Sequence, residues 1–166
     1  MMNAELLAEM ELVRHPWSSL RVIQGVADAI PTALRSLFSA RAPSEIQTAY
    51  WRIENQVVVQ GQLFESAVAT TQVLMASLVD AKRPMPVRIG ILELLFQLTS
   101  GESHQSEVDR GNGNLGEQCR AAAREGLWLL YRELVEGEAA AAREVLEVIE
   151  RTPDRLVMLD ELATGA

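Results

Sequence analysis

Apolar residues recur every three to four positions along most of this chain, and that period admits little except helices packed on helices. Between Leu63 and Val79 the stripe is Leu63, Phe64, Ala67, Val68, Thr71, Leu74, Met75 and Leu78; Gln62, Glu65, Ser66, Gln72, Ser77 and Asp80 lie opposite. Val87, Ile91, Leu94, Leu95 and Leu98 repeat the pattern, while Ile89, Leu92 and Phe96 line a second face of the same helix. A helix apolar on two sides is covered on two sides, so Val87–Thr99 belongs in the middle of the packing. No alternating pattern of useful length competes. Val57-Val58-Val59 is β-prone, but it sits inside a helical period.

Glycine, proline and capping residues divide this pattern. Residues 1–16 read as a polar, weakly helical N-terminal arm that Leu6, Leu7, Met10 and Val13 would dock. Trp17, Leu20, Ile23, Val26, Ala27 and Ile30 predict a helix over 17–30, and Pro31 opens a short one through Ser39. Ser44 with Gln47 makes a capping box for a helix from Glu45 to Gln60, which Gly61 separates from the next. Lys82 to Pro86, with Pro84 and Pro86, is a stiff linker. Residues 100–114 carry no period and read as a structureless inserted loop. Leu115–Val135 is expected as one long helix, with Cys119, Ala122, Ala123, Gly126, Leu127, Leu130, Tyr131 and Leu134 inward and Gly137 as its stop. Ala142, Val145, Leu146 and Ile149 mark a helix over 138–151. Thr152 and Pro153 then introduce a last one over 154–162. The first helices of successive pairs start near residues 45, 87 and 138, spacings of 42 and 51. That approximates the roughly 40–47-residue period of HEAT-type helical pairs, with one insertion. The expected fold is therefore all-α: residues 1–166 as one domain, a short right-handed α-α superhelix of three to four pairs.

Composition narrows the function. The net charge of −8 is uneven: residues 1–100 hold nine acids and eight bases, residues 101–166 fourteen acids and seven bases. An acidic third repels phosphate backbones and attracts a basic surface, so nucleic acid is not the expected partner. The apolar run Ile89–Leu98 is too short to span a bilayer, and no membrane association is expected. Met1 to Val13 carries three glutamates and no basic residue, unlike a secretory signal, and Cys119 is the only cysteine. A cytoplasmic location is expected. Fourteen of the fifteen bases are arginine, a hint of a high-GC bacterial genome.

Tyr50-Trp51, Asn55-Gln56-Val57, Gln60 to Ala67, Arg88-Ile89, Leu92 to Leu95 and Gly126 to Tyr131 resemble a group of small bacterial HEAT-like, armadillo-type helical-repeat proteins. The resemblance covers about residues 17–150. It implies a non-catalytic protein-binding module. Because several such repeat proteins act as immunity partners of secreted toxins, it also implies a toxin domain with a basic surface as partner.

On that expectation the contact would use the second helix of each pair and the loop 101–114. Glu65, Glu102, His104, Glu107, Asp109 and Arg110 would supply charge complementarity. Arg124 and Trp128 would form an anchor, Trp128 lying off the inward stripe of its helix between Arg124 and Arg132. Chemistry finds less support. Glu102, His104, Glu107 and Asp109 could ligate a metal, but no second histidine lies near. Asp109 to Asn114 lacks the sixth-position glycine and twelfth-position glutamate of a calcium loop. Cys119 faces inward with no histidine to activate it. Glu133/Glu136 and Glu144/Glu147 read as solvated faces, Glu147 pairing with Arg143 and Arg151. No catalytic, cofactor or metal residue is therefore expected. Two alternatives remain: a homodimer seamed by Leu156, Val157, Leu159 and Leu162, or a HEAT-like DNA glycosylase, which the charge opposes.

Overall fold

The residues with two apolar faces form the axis of the fold. α5 (Met85–Ser100) buries Val87, Ile91, Leu92, Leu94, Leu95 and Leu98, and packs against α2 (Ile30–Ser39), α3 (Pro43–Val57), α4 (Ala67–Ser77), α7 (Leu115–Arg124) and α9 (Ala139–Ile149). The computed structural model describes residues 2–165; Met1 and Ala166, at the ends of the expected arm and domain, lie outside the described residues. Among the described residues α1 (Glu5–Val13), α6 (Gln105–Val108), α8 (Leu127–Glu136) and α10 (Asp154–Thr164) complete ten helices, and the fold is all-α in character. Pro31, Pro43 and Pro86 each stand in a first turn, where a missing N–H costs nothing. No helix among the described residues is long and apolar enough to cross a membrane.

Several local expectations change. The helix expected to reach Gln60 ends at Val57. Val58–Val59 becomes β1 and Gln62–Leu63 β2, an antiparallel hairpin with Val58 opposite Leu63. Gln60 and Gly61 both take positive φ, 52° and 77°, the backbone that a two-residue hairpin turn requires. The β-propensity of the valines outweighs the helical period because the next segment is there to pair with them. Nor is 17–30 a helix. A single 3-10 turn, Trp17–Ser19, is followed by irregular backbone whose polar groups bond to distant segments. Ile23 N–H donates to Gln56 O (2.9 Å) and Ser66 N–H to Arg21 O (3.1 Å). Trp17 is buried and donates Nε1–H to Leu12 O at 2.7 Å. The arm is docked by Ala8 and Leu12; Leu6, Leu7, Met10 and Val13 point outward. α3 starts one residue before Ser44 and has no side-chain cap.

The 100–114 segment is ordered, contrary to the loop expected there. Glu102–Ser103 forms β3, parallel to β2, with Gln62 opposite Glu102. Glu102 N–H donates to Gly61 O and His104 N–H to Leu63 O, both at 2.9 Å. Ser103 Oγ–H donates to Asn112 O (2.6 Å) and accepts from Leu115 N–H (3.0 Å), which closes the segment on itself. The approach is tight enough that a Cβ on Gly116 would lie 2.5 Å from Gly101 O. The single helix expected over 115–135 is two helices, α7 and α8, meeting at Glu125-Gly126.

The arginines have a structural use. A helix end leaves carbonyls without intrahelical partners, and here arginines from neighbouring elements meet them. Arg83 Nε–H donates to Ser77 O (3.0 Å) and Nη1–H to Phe38 O (3.2 Å), with its Cζ 4.9 Å above the Phe38 ring. Arg120 reaches Thr99 O (3.0 Å), Arg124 reaches Ile149 O (2.7 Å) and Arg132 reaches Leu78 O. A planar fork of five donors on a long stem suits this cross-helix capping better than an ammonium group does.

Candidate protein-interaction surface

The sequence-predicted binding residues separate into buried structural groups and exposed ones. Glu107 is only 1% exposed, so it does not present its charge to a partner. Arg21 grips it with two bonds, Nε to Oε1 at 2.8 Å and Nη2 to Oε2 at 2.7 Å, and Asn112 adds a third at 3.1 Å. These hydrogen bonds, Arg21's foremost, hold the Glu107 carboxyl below the usual carboxylate range against burial, which works the other way. Glu65 belongs to the same knot: it pairs with Arg21 at 3.0 Å and accepts Arg21 N–H at 3.1 Å. The knot ties the 17–30 segment, the start of α4 and α6 together.

His104 is half-buried. It stacks on Phe64 at 4.9 Å between ring centroids, and its Nδ1 accepts Ser106 N–H at 3.1 Å as the cap of α6. Asp109 is exposed and accepts from Gln105; Arg110 is exposed; Glu102 pairs with Arg120 at 3.2 Å. Arg124, expected as a partner anchor, is instead spent on Ile149 O and on Glu117 at 2.9 Å. Arg124, Arg120 and Arg151 together hold the Glu117 carboxyl down at about 2.

Trp128 is different. Its side chain is 67% exposed, yet its ring is held on two sides. The Tyr131 ring lies 5.3 Å away at 37°, and the Arg155 guanidinium sits 5.3 Å over the indole, close enough for a cation–π contact. Both holders are themselves fixed through Glu150, which accepts Tyr131 Oη–H at 2.5 Å and pairs with Arg155 at 3.3 Å. Burial and donation to Glu150 push the Tyr131 phenol up to about 12. At Glu150 burial raises the carboxyl, and the bonds from Tyr131, Thr152 N–H and Arg155 more than offset it. An exposed tryptophan held in one orientation loses little side-chain freedom on binding, the property of an interface hot spot. Spacing along α8 located Trp128. It could not show that Arg155 and Glu150, from beyond the next helix, are its support.

Other candidate chemistry is accounted for by packing. Cys119 is fully buried, and burial pushes its thiol up to about 12, which leaves it a neutral apolar group. His15 Nε2 lies 3.1 Å from a carboxyl oxygen of Glu11, which also pairs with Arg14, and its ring meets Trp17 edge-on at 5.6 Å. Burial lowers its pKa, with Arg14 adding to the effect. His15, Glu65, Gln72, Asn112 and Gln118 line a cleft of 270 Å³, but Glu65, Asn112 and Gln118 are already bonded within the fold. Among the described residues no group of three His, Cys, Asp or Glu side chains is placed to share a metal ion. No family model, curated protein or solved structure matches the chain significantly.

Proposed function

We propose that this chain is a non-catalytic protein-binding module: a short HEAT-like stack of helical pairs, working in the cytoplasm, that engages another protein through the surface around Trp128. The observation that carries this reading is the indole itself, two-thirds exposed and braced by Tyr131 and Arg155. An aromatic ring already held in one orientation gives up little freedom when a partner covers it, which suits an interface anchor. The acidic character of residues 101–166 favours a partner with a basic surface, and a toxin domain occluded by an immunity protein fits that description.

Affinity purification of the full chain from its native host, in wild-type and Trp128→Ala forms, tests the proposal. Trp128 lies outside the core, so the variant keeps its fold, which far-UV circular dichroism checks. The expected result is a protein retained by the wild type and lost from the variant. Recovery of this chain alone at every salt concentration, or the same retained set with both forms, overturns it.

A further inference from the structure

Beside Trp128 the molecule leaves one face of a helix uncovered. Asp154, Val157, Met158, Glu161 and Leu162 of α10 are all exposed, Leu162 by 77%, and their steps of three and four put them on a single stripe. Leu156 and the partly buried Leu159 turn the opposite side of α10 to the core. Arg155, which covers Trp128, precedes Met158 and Leu162 at the same steps, so the stripe continues the anchor.

The charges on this face are uncompensated. The ion pairs that α10 makes, Arg143–Asp160 and Arg155–Glu150, use neither Asp154 nor Glu161. Exposed Glu144 and Glu147 on α9 and Glu136 at the end of α8 also lack a cationic partner among the described residues. Residues 125–164 hold ten acids and four bases, a net of −6. Asp154 gains something from the α10 N-terminus, but Glu161 lies in the last turns, where a negative charge is disfavoured. A local cost of that sign points to a cation supplied from outside.

We propose that this face binds a cationic amphipathic helix of the partner, its apolar stripe on Val157, Met158 and Leu162 and its Lys or Arg side chains on Asp154 and Glu161. The inference rests on the protein-binding function above and adds the chemistry of what is bound. Apolar anchors at helical spacing flanked by basic residues are how such a segment docks. A second copy of this chain would set the same acids against themselves, and like charges across an interface repel. Nucleic acid would meet the same barrier.

The test uses the full chain and a labelled synthetic peptide of about 18 residues, five helical turns, with a leucine stripe flanked by arginines. A twin peptide has glutamate in place of every arginine. Fluorescence anisotropy should show binding of the cationic peptide and about tenfold or more weaker binding of its twin, with the difference shrinking as salt rises. Asp154→Lys with Glu161→Lys, and separately Val157→Ser with Leu162→Ser, should each weaken binding about tenfold. Glu45→Lys with Glu93→Lys makes the same charge change on α3 and α5 and should alter it less than about twofold. Equal binding of the two peptides overturns the inference. So does equal weakening by the α3/α5 pair, which would mean general acidity rather than this face. A dimer in light scattering that Val157→Ser with Leu162→Ser converts to monomer also overturns it, because a second copy then covers the stripe. If a captured partner depends on Trp128 while the peptide ignores α10, this inference falls and the function above stands; if no partner depends on Trp128, both fall.

Discussion

Replacing Arg21 by alanine tests how the non-helical parts of the fold are held. The substitution removes both bonds to Glu107 and the pair to Glu65, and leaves the Glu107 carboxylate buried with the Asn112 amide as its remaining side-chain donor. Breaking a buried pair by deleting one member costs about 3–5 kcal/mol, because the surviving charge is stranded. The Arg21 side chain keeps 29% exposure, so water can reach the vacated side and the lower end, about 3 kcal/mol, applies. With a urea m-value of about 2 kcal/mol/M for a chain of this size, the unfolding midpoint should fall by about 1.5 M. Tryptophan fluorescence reports the transition, since Trp17 is buried beside the same segment. The effect should depend on pH. Glu107 titrates lower in the folded state than in the unfolded one, chiefly through Arg21. Its contribution is therefore full above the unfolded value of about 4.3 and is lost as pH falls through the folded value. The gap between wild type and variant should be widest near neutrality and narrow in acid. Replacing both partners by apolar residues, Arg21→Met with Glu107→Leu, should recover most of the loss, because nothing charged is then buried. A midpoint shift below about 0.3 M at neutral pH, or a gap unchanged on acidification, would refute the reasoning.

The remaining predictions concern packing. Gly116→Ala drives a Cβ onto the Gly101 backbone oxygen and should cost about 2 kcal/mol or more, whereas Gly126→Ala meets the flexible end of Met75 and should cost under about 1 kcal/mol; thermal melts of the two rank them. Arg83→Lys loses a fork that serves two carbonyls and the Phe38 face, and should lower stability by about 1–2 kcal/mol in the same melts, while an unchanged melting temperature would show the caps to be dispensable. The Cys119 thiol, pushed up to about 12, should resist a disulfide reagent at mildly alkaline pH in the native state and react on unfolding; fast native reaction would contradict its burial.

Much of the helical framework was legible in the chain. The two-faced stripe from Val87 to Leu98 announced the central helix and Pro31 the start of α2, whereas Pro43 and Pro86, expected to lie before their helices, stand in the first turns of α3 and α5. Part of the surface was legible too, since spacing alone put Trp128 off the inward stripe, while the same logic sent Leu6, Leu7, Met10 and Val13 inward and they face out. A helical stripe states which residues can share a face. On a marginal helix such as α1 it does not state which face meets the core.

The helical period and Pro31 act within a few residues, so the sequence by itself determined where most helices form and that α5 is covered on two sides. By contrast α4, expected to turn Ser66 and Ser77 to a polar face, is buried over most of its surface by α1, α5 and α7. The Gln62–Glu102 ladder joins positions far apart, and so do the Arg21–Glu107 pair and the arginine caps. They exist only once other elements have brought their ends together. Hence the order of residues 100–114, the hairpin in place of a helix end, and the bracing of Trp128 by Arg155 were decided by tertiary structure. A backbone or side chain satisfied by a distant partner leaves no local trace in the spacing of its neighbours.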